Sequence, residues 1–213
     1  MKKILKGELT NNASLTAAPL TKDFFEQPTL SLAKSLLGCL LVKETEEGIT
    51  SGFIVETEAY SGPEDQAAHS YNNRRTARTE IMYGEPGHIY TYVMHTHCLV
   101  NIVSGPKDKP EAVLIRAIEP FSGIELMKNR RGITDLKNLT NGPGKLTKAM
   151  GISMEDYGRS ICEPPLYICS GFKPSGISQG KRIGIDNAGE AREYPWRFWE
   201  TDNPFVSRHR KQI

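Results

Sequence analysis

The sequence predicts one domain of mixed α/β class, in which antiparallel strands and a few helices share a core. Its 213 residues are enough to bury such a core without a disulfide or metal framework. The balance of 38% hydrophobic and 24% charged residues is typical of a globular protein. Short apolar runs alternate with turn-rich connections, which favours hairpins, and two segments carry the start and stop signals of helices.

Residues 1–20 are polar and predict a weakly ordered lead-in, so the domain is expected to comprise residues 21–213. No internal repeat or linker divides that domain. The basic start, Met1 to Glu8, has no apolar run behind it, and neither a secretory signal nor a membrane span is expected.

The first helix is predicted from apolar spacing. Leu30, Ala33 and Leu37 recur at helical intervals, and Gly38 stands where a C-terminal cap is expected. These residues indicate a short amphipathic helix over residues 29–37.

Strands are predicted wherever apolar or alternating runs are bounded by turn residues. The connections between several of them are short enough for antiparallel hairpins. The predicted strands are residues 39–42, 49–60, 88–95, 98–103, 112–118, 166–169 and 181–185.

Two further helices have explicit boundary signals. The run Ser122-Gly123-Ile124-Glu125 has the form of a capping box, and the segment behind it ends in basic residues and Gly132. Asn141 to Leu146 opens a second short helix, with Pro143 in its first turn.

The strand over residues 49–60 ends in an unusual set of side chains. Alternation places Glu56, Glu58 and Tyr60 on one face, with Val55 and Thr57 on the other. A carboxylate partly removed from water and held by a cation can activate a water molecule. The alternative is the solvated polar face of an edge strand.

Residues 66–85 predict a long polar excursion, and connections of that length are usually functional or mobile. Its three arginines, Arg74, Arg75 and Arg78, could contact successive phosphates, although a short basic run is more often a solvated surface. Gly144 and Lys145 add free backbone donors and a cation at a helix N-terminus, which is a second candidate anion site.

Rings and imidazoles allow two further interpretations. Tyr90 and Tyr92 share a strand face, so they could stack on a planar ligand or simply pack in the core. His69, His95 and His97 could ligate a metal, but their spacing fits no helical ligand pair, and nucleic-acid-facing or surface histidines are the alternative.

The four cysteines are widely scattered, which indicates reduced thiols in a cytoplasmic protein. The net charge of +2 permits a polyanionic partner without requiring one.

With these residues in view, the chain closely resembles the alkyladenine (methylpurine) DNA glycosylases from about Leu30 to Arg208. The resemblance rests chiefly on the long ungapped block from Gly52 to Ser70. Shorter matches are Pro86 to Tyr92, Asn101-Ile102, Leu114 to Pro120, Asn141 to Leu146 and Arg182 to Ile185.

The resemblance implies a curved antiparallel sheet with flanking helices and a protruding hairpin that enters the DNA minor groove. It also implies a damaged purine flipped into a pocket. Glu58 would then be the general base that deprotonates a water, and Arg116 would help to hold that water. Glu56 would be structural support.

The same resemblance implies the walls of the pocket. Tyr60, His69 and Tyr92 would sandwich the flipped base, Ala68 would belong to the pocket, and Asn101 would exclude the amino group of normal guanine. A methylated purine is cationic, so it would stack well on the tyrosine faces.

The hairpin tip departs from the family pattern. The family has a tyrosine that wedges into the space left by the flipped nucleotide, whereas this sequence reads Tyr92 to Cys98 and is about one residue shorter. Met94 or His95 is assigned to the wedge, because an apolar or planar side chain can replace stacking at an opened base step.

The expected protein is therefore a monomeric, monofunctional glycosylase without a cofactor or bound metal, acting on double-stranded DNA that contains damaged purines. No membrane or obligate protein partner is expected. Two alternatives stay open: a metal-dependent hydrolase that uses the histidines and Glu56, and a lesion-binding protein without catalysis.

Overall fold

The computed structural model describes residues 18–207. The lead-in predicted for residues 1–20 therefore lies mostly outside the described residues, since its first seventeen positions are not among them. Within the described part, Pro19 forms a β-bridge with Cys169, and the Leu20 amide donates to the Ile168 carbonyl oxygen at 2.8 Å.

One sheet of eight strands organises the chain, and all its pairings are antiparallel. The order along the main path is β3-β4-β5-β2-β1-β6, with β8 on β2 and β7 on β8. The strands are β1 (Leu40–Thr45), β2 (Gly48–Tyr60), β3 (Ile89–Met94), β4 (His97–Ser104), β5 (Glu111–Ser122), β6 (Leu166–Cys169), β7 (Ile177–Gly180) and β8 (Arg197–Glu200).

The central strand β2 lies between two sets of neighbours. Along one edge it pairs with β5 over most of its length. Along the other edge its first half pairs with β1, and residues 56–58 pair with β8. The sheet therefore forks at the middle of β2 and curves into a half-barrel, as the resemblance implied.

A bulge in each strand of the β2–β5 ladder marks that fork. The ladder skips Val55 on β2 and then Arg116 on β5. An extra residue resets side-chain alternation, so the strands re-aim their side chains without losing pairing. Val55 packs with Phe205 on the same side of the sheet where Glu56 meets Ser207. The prediction that Val55 points away from Glu56 was therefore wrong.

Helices cover one face of the sheet. They are α1 (Lys22–Phe25), α2 (Thr29–Ser35), α3 (Ile124–Arg131) and α4 (Pro143–Met150). The largest apolar cluster joins buried side chains of α2, α3 and α4 to one face of the sheet. The helix predicted over residues 29–37 is confirmed, with Gly38 at a φ of +83° just beyond it.

Two local predictions were wrong. Ser122 belongs to β5, and α3 is capped by Gly123 at a φ of +72° without a side-chain hydrogen bond, so there is no capping box. Residues 181–185 form no strand. The strands of this region are β7 and β8, and the segment between them begins with irregular backbone and then forms a 3-10 helix over Gly189–Glu193.

Candidate active site

Glu58 is the buried carboxylate of the site. Its side chain is inaccessible to solvent, although an edge-strand interpretation would have left it in water. Oε1 accepts a hydrogen bond from the Ile183 amide at 2.7 Å. Oε2 accepts from the Tyr60 hydroxyl at 2.9 Å and from Arg116 Nη1 at 3.2 Å. A neighbour on the same strand and two distant parts of the chain therefore hold one carboxylate in a fixed orientation.

Glu56 is equally buried but has a different set of partners. Its Oε1 accepts from Arg116 Nε and Arg197 Nη1, both at 3.1 Å, and from Ser207 Oγ at 2.8 Å. Its Oε2 accepts from the Ser207 amide at 2.7 Å. Glu56 therefore anchors Arg116 from behind, and the two glutamates occupy distinct environments.

The charges at this centre define its protonation. Burial acts to lower the pKa of Arg116, but Glu58 and Glu56 outweigh it and raise that pKa above the ordinary value. Burial, and next the charge of Glu58, hold the pKa of the Tyr60 phenol well above its usual range. Arg116 is thus a permanent cation, and Tyr60 remains a hydrogen-bond donor.

A pocket of about 130 Å³ adjoins Glu58 through the side chains of Tyr60 and Arg116. Its walls are largely aromatic and apolar. The lining residues are Tyr60, Ala67, His69, Met82, Tyr90, Tyr92, Met94, Leu99, Asn101, Ala112, Leu114, Arg116, Pro143, Ile183, Gly184 and Ile185.

The rings of that wall are held against one another. His69 stands edge-on to Tyr92, with ring centroids 4.6 Å apart and an interplanar angle of 82°. Its Nδ1 lies 2.8 Å from the Tyr90 hydroxyl, and Tyr90 stacks on Tyr92 with centroids 5.6 Å apart. Tyr90 is almost fully buried, so it acts mainly as packing that supports the more exposed Tyr92.

Two smaller residues complete the wall. The Asn101 amide group donates to the Tyr90 carbonyl oxygen at 3.0 Å, which fixes its orientation at the pocket. Ala67 lines the pocket, whereas Ala68, which the sequence had assigned to it, is buried beside it and outside the lining.

Burial holds His69 neutral. It lowers the pKa of the imidazole to about 4, and the charges of Arg78 and Arg74 act in the same direction. These two arginines are exposed, yet they lie close enough to the pocket for their charge to act on His69.

The residues predicted to contact DNA lie in three elements, which are the 66–85 excursion, the β3–β4 hairpin and the first turn of α4. Met94 and Pro143 line the pocket, and Met94 is also 45% exposed at the end of β3. The tip of the β3–β4 hairpin is His95-Thr96, and His95 has a φ of +55°.

Gly144 permits this arrangement. A Cβ at Gly144 would lie 2.7 Å from His97, so glycine allows the first turn of α4 to approach the hairpin closely. The neighbouring Lys145 Nζ donates to Asn141 Oδ1 at 2.7 Å.

The three arginines of the 66–85 excursion are not equivalent. Arg75 donates to both oxygens of Glu80, at 2.9 and 2.6 Å, and lies over the Tyr83 ring. Within residues 18–207, neither Arg74 nor Arg78 has a carboxylate partner.

Comparison with known proteins identifies the family of this chain. The family model of methylpurine-DNA glycosylase matches residues 23–204. The chain belongs to that family. It is 65% identical over 190 residues to a Bacillus licheniformis protein named "Putative 3-methyladenine DNA glycosylase", covering 89% of this chain and 97% of the relative.

Proteins of the same name occur in other species. The Bacillus subtilis relative is 64% identical, with 89% of this chain and 97% of its own length covered. A Listeria monocytogenes relative is 48% identical, with 91% and 95% covered. Membership in this glycosylase family implies a DNA substrate and confirms the resemblance found in the sequence.

Three further findings on this chain bear on the sequence predictions. Across residues 18–207, no three His, Cys, Asp or Glu side chains converge as a metal site. Glu56, one proposed ligand, is already engaged by two arginines and Ser207. All four cysteines lie within that part of the chain, and none of them forms a disulfide bond. In the same part of the chain, no helix is both long and apolar enough to cross a bilayer.

Sequence reasoning missed the contribution of the segment from Arg182 to Ile185. Its irregular backbone supplies the Ile183 amide to Glu58 and three lining residues to the pocket. The signal was present, since this segment was among the matches to the family. Its apolar alternation, however, resembled a strand.

Proposed function

We propose that the protein hydrolyses the N-glycosidic bond of damaged purines in double-stranded DNA, as a monofunctional glycosylase. The observation that carries the proposal is Glu58, a buried carboxylate with three fixed donors, directly beside an aromatic pocket that is bordered by Met94 of the β3–β4 hairpin and Pro143 of α4. The names of the relatives point to 3-methyladenine as one substrate.

Glu58 is the proposed general base. It would take a proton from a water molecule whose oxygen then bonds to C1′ of the sugar, while the C1′–N bond breaks and its electron pair leaves with the base. Arg116 and the Ile183 amide, which converge on Glu58, would orient that water. The negative charge of Glu58 would also stabilise the oxocarbenium-like sugar, as carboxylates do in glycosidases.

The aromatic walls of the pocket suit flat damaged purines, and they suit a positively charged one best. A base methylated at N3 or N7 is cationic, so the faces of Tyr60 and Tyr92 attract it and it leaves as a neutral molecule. The same pocket would take hypoxanthine and ethenoadenine, which stack without a positive charge. Extrusion of the base from the duplex would precede either reaction.

The side chains near the mouth of the pocket would make the contacts with DNA. Met94 is the proposed wedge, since it is exposed on the hairpin and borders the pocket, whereas His95 occupies the turn beside it. Arg74 and Arg78 would contact phosphates. The paired Arg75 would contribute less.

The decisive experiment replaces Glu58 by glutamine and measures base release from an oligonucleotide containing one 3-methyladenine or hypoxanthine. General-base catalysis contributes about 10²- to 10⁴-fold, so the single-turnover rate should fall by that factor. Glu111→Gln is the matched control, because Glu111 is a comparably buried carboxylate on β5 outside the pocket.

Two outcomes would contradict the proposal. If the Glu58→Gln variant released the damaged base at the wild-type rate, Glu58 would not be the general base. Wild-type protein that binds an abasic-site analogue tightly but releases no base would establish the lesion-binding alternative. The monofunctional assignment requires that borohydride trap no enzyme–DNA adduct and that the abasic strand stay uncut. A trapped adduct would indicate an amine nucleophile.

A further inference from the structure

Arg182 is a buried cation that the proposed mechanism does not use. Its side chain is inaccessible to solvent and pairs with the equally buried Asp65. Nη1 donates to Asp65 Oδ2 at 2.5 Å and to the Ala59 carbonyl oxygen at 2.9 Å. Nη2 donates to Asp65 Oδ1 at 2.8 Å and to the Ala191 carbonyl oxygen at 3.1 Å. One guanidinium thereby joins four segments of the chain.

The same guanidinium also contacts the pocket wall. Its central carbon lies 4.7 Å from the centroid of the Tyr60 ring and 5.1 Å from that of Trp196. Trp196 is itself fixed to β2, since its carbonyl oxygen accepts from the Ala59 amide at 2.9 Å. Arg182 therefore supports Tyr60, the ring that hydrogen-bonds Glu58.

Asp65 extends this support to the loop that carries His69. Its carboxylate accepts from the Ser61 amide at 3.2 Å and from the Ala67 amide at 3.0 Å. The Ala68 amide donates to the Asp65 carbonyl oxygen at 2.9 Å. The Arg182–Asp65 pair thus holds the turn between β2 and the pocket-lining residues Ala67 and His69.

Fold stability alone is a weak reason for such a pair. Replacing a buried ion pair by apolar residues is often neutral or stabilising. Moreover, Arg182 Nε finds no hydrogen-bond acceptor among the described residues, and an unsatisfied buried donor costs free energy. An unsatisfied buried polar group in a native structure therefore calls for an explanation, and a role at a catalytic site is one.

We propose that Arg182 is a positioning residue for base excision. Through Tyr60, through the amide of the next residue, Ile183, and through Asp65, it fixes the general base, one pocket wall and the His69 loop relative to one another. The inference rests on the proposed function, since it assigns Arg182 a role in that reaction.

The test removes the whole pair, so that no lone buried charge is left. The variant is Arg182→Met with Asp65→Asn. Its matched control is Lys43→Met with Asp156→Asn, which removes another buried pair, at 2.5 Å, whose aspartate likewise accepts from a nearby backbone amide. No residue of the control pair lines the pocket.

Three measurements are compared on both variants: thermal unfolding, the single-turnover rate of hypoxanthine release, and the Kd for an abasic-site analogue. For the Arg182 pair, the release rate should fall at least about tenfold while the Kd changes less than about threefold, because misplaced groups slow chemistry. The control should keep the wild-type rate. Arg182→Lys should give an intermediate rate, because lysine keeps the charge but cannot form the bidentate contact.

An activity-independent readout separates this inference from the proposed function. Nuclear magnetic resonance of ring-labelled histidine follows the titration of His69, which in the folded protein has a pKa of about 4. Loss of the Arg182 pair should raise that pKa towards the ordinary value by loosening the loop, and the control should not change it. Any of three results would overturn the positioning role. The Arg182 pair variant could release base at a rate within twofold of wild type, the pair variant and its control could lose equal rate, or the pKa of His69 could stay unchanged. Wild-type protein without base release would instead overturn the proposed function.

Discussion

The buried glutamates behind the pocket, Glu56 and Glu58, which we call the floor, and the hairpin beside the pocket mouth are built in opposite ways. Glu56 and Glu58 have no exposed surface, and seven hydrogen bonds from five residues hold their four carboxylate oxygens. At the hairpin end, Val93 is 53% exposed and Met94 is 45% exposed, although both are apolar. The floor is fully partnered within the chain, whereas the hairpin end presents apolar surface that residues 18–207 leave uncovered.

This difference assigns two tasks to two kinds of structure. Chemistry that depends on distances of about 3 Å is best supported by paired strands whose side chains have single positions. Insertion into a deformed DNA duplex needs apolar side chains that are available before the DNA arrives. Changes at the floor should therefore affect both folding and catalysis, while changes at the hairpin should affect DNA binding alone.

The largest effect is expected for Glu56→Gln. The substitution leaves Arg116 and Arg197 without their shared carboxylate, and breaking a buried ion pair on one side costs about 3–5 kcal/mol. Urea unfolding should show this loss, and base release should slow because Arg116 loses its anchor. Glu80→Gln, in an exposed pair, should leave unfolding unchanged. If the Glu56→Gln and Glu80→Gln variants had equal free energies of unfolding, the contacts of Glu56 would contribute no more to stability than an exposed ion pair.

The next effect is a pH dependence of the free energy of unfolding, which arises from the partly buried His69 in the pocket wall. His69 has a folded-state pKa of about 4, below its ordinary 6.5, so the unfolded state binds the extra proton first. Its contribution to stability is complete above pH 6.5 and is lost as the pH falls from 6.5 towards 4. The slope is at most about 1.4 kcal/mol per pH unit.

Urea unfolding at pH 7, 6 and 5 measures that slope, and His69→Gln supplies the comparison. The variant should show a flatter dependence over this range. An identical slope in both proteins would mean that His69 is not shielded from water.

At the hairpin, Met94→Ala should weaken binding to lesion-containing DNA by about tenfold, or about 1.4 kcal/mol, because the wedge is shortened. Stability should change by less than about 0.5 kcal/mol, as for other surface sites. Met154→Ala is the matched control, since Met154 is also 45% exposed but does not line the pocket. A matching loss of affinity in both variants would contradict the wedge assignment.

The smallest effect distinguishes the arginines at the rim. Arg78→Gln should lower DNA affinity severalfold at all sequences and reduce the slope of log K against log salt by about 0.9, as expected for one phosphate contact. Arg75→Gln should change the slope less, because Glu80 already neutralises Arg75. Fluorescence anisotropy between 50 and 200 mM salt measures both. A larger change for Arg75 would reverse their assigned roles.

Much of this architecture could be predicted because local signals agreed with the fold. The strand over residues 49–60, the hairpin of β3 and β4 and the helix that opens at Pro143 all carry their own boundary residues. The family resemblance, not the local pattern, assigned Tyr60, His69 and Tyr92 to a pocket, and all three line it.

The failures have a common physical cause, which is that the site departs from regular structure. Alternation cannot anticipate the bulges at Val55 and Arg116, because they depend on how two distant strands are paired. The segment that supplies the Ile183 amide has the composition of a strand but the backbone of a loop. Nor could the sequence show that Glu80 engages Arg75 or that Asp65 engages Arg182, since such pairs depend on tertiary structure.

The bond between Glu56 and Ser207 has a consequence for how the protein is made. The two residues are 151 positions apart, so a ribosome adding about 5–20 residues per second makes Glu56 roughly 8–30 s before its final partner. During that interval the nascent chain already contains the proposed general base, Glu58, and the aromatic rings, but Glu56, the anchor of Arg116, lacks its last two donors. We therefore expect the site to become competent only after translation has passed Ser207. A chain that has not yet reached that point would not act on the genome.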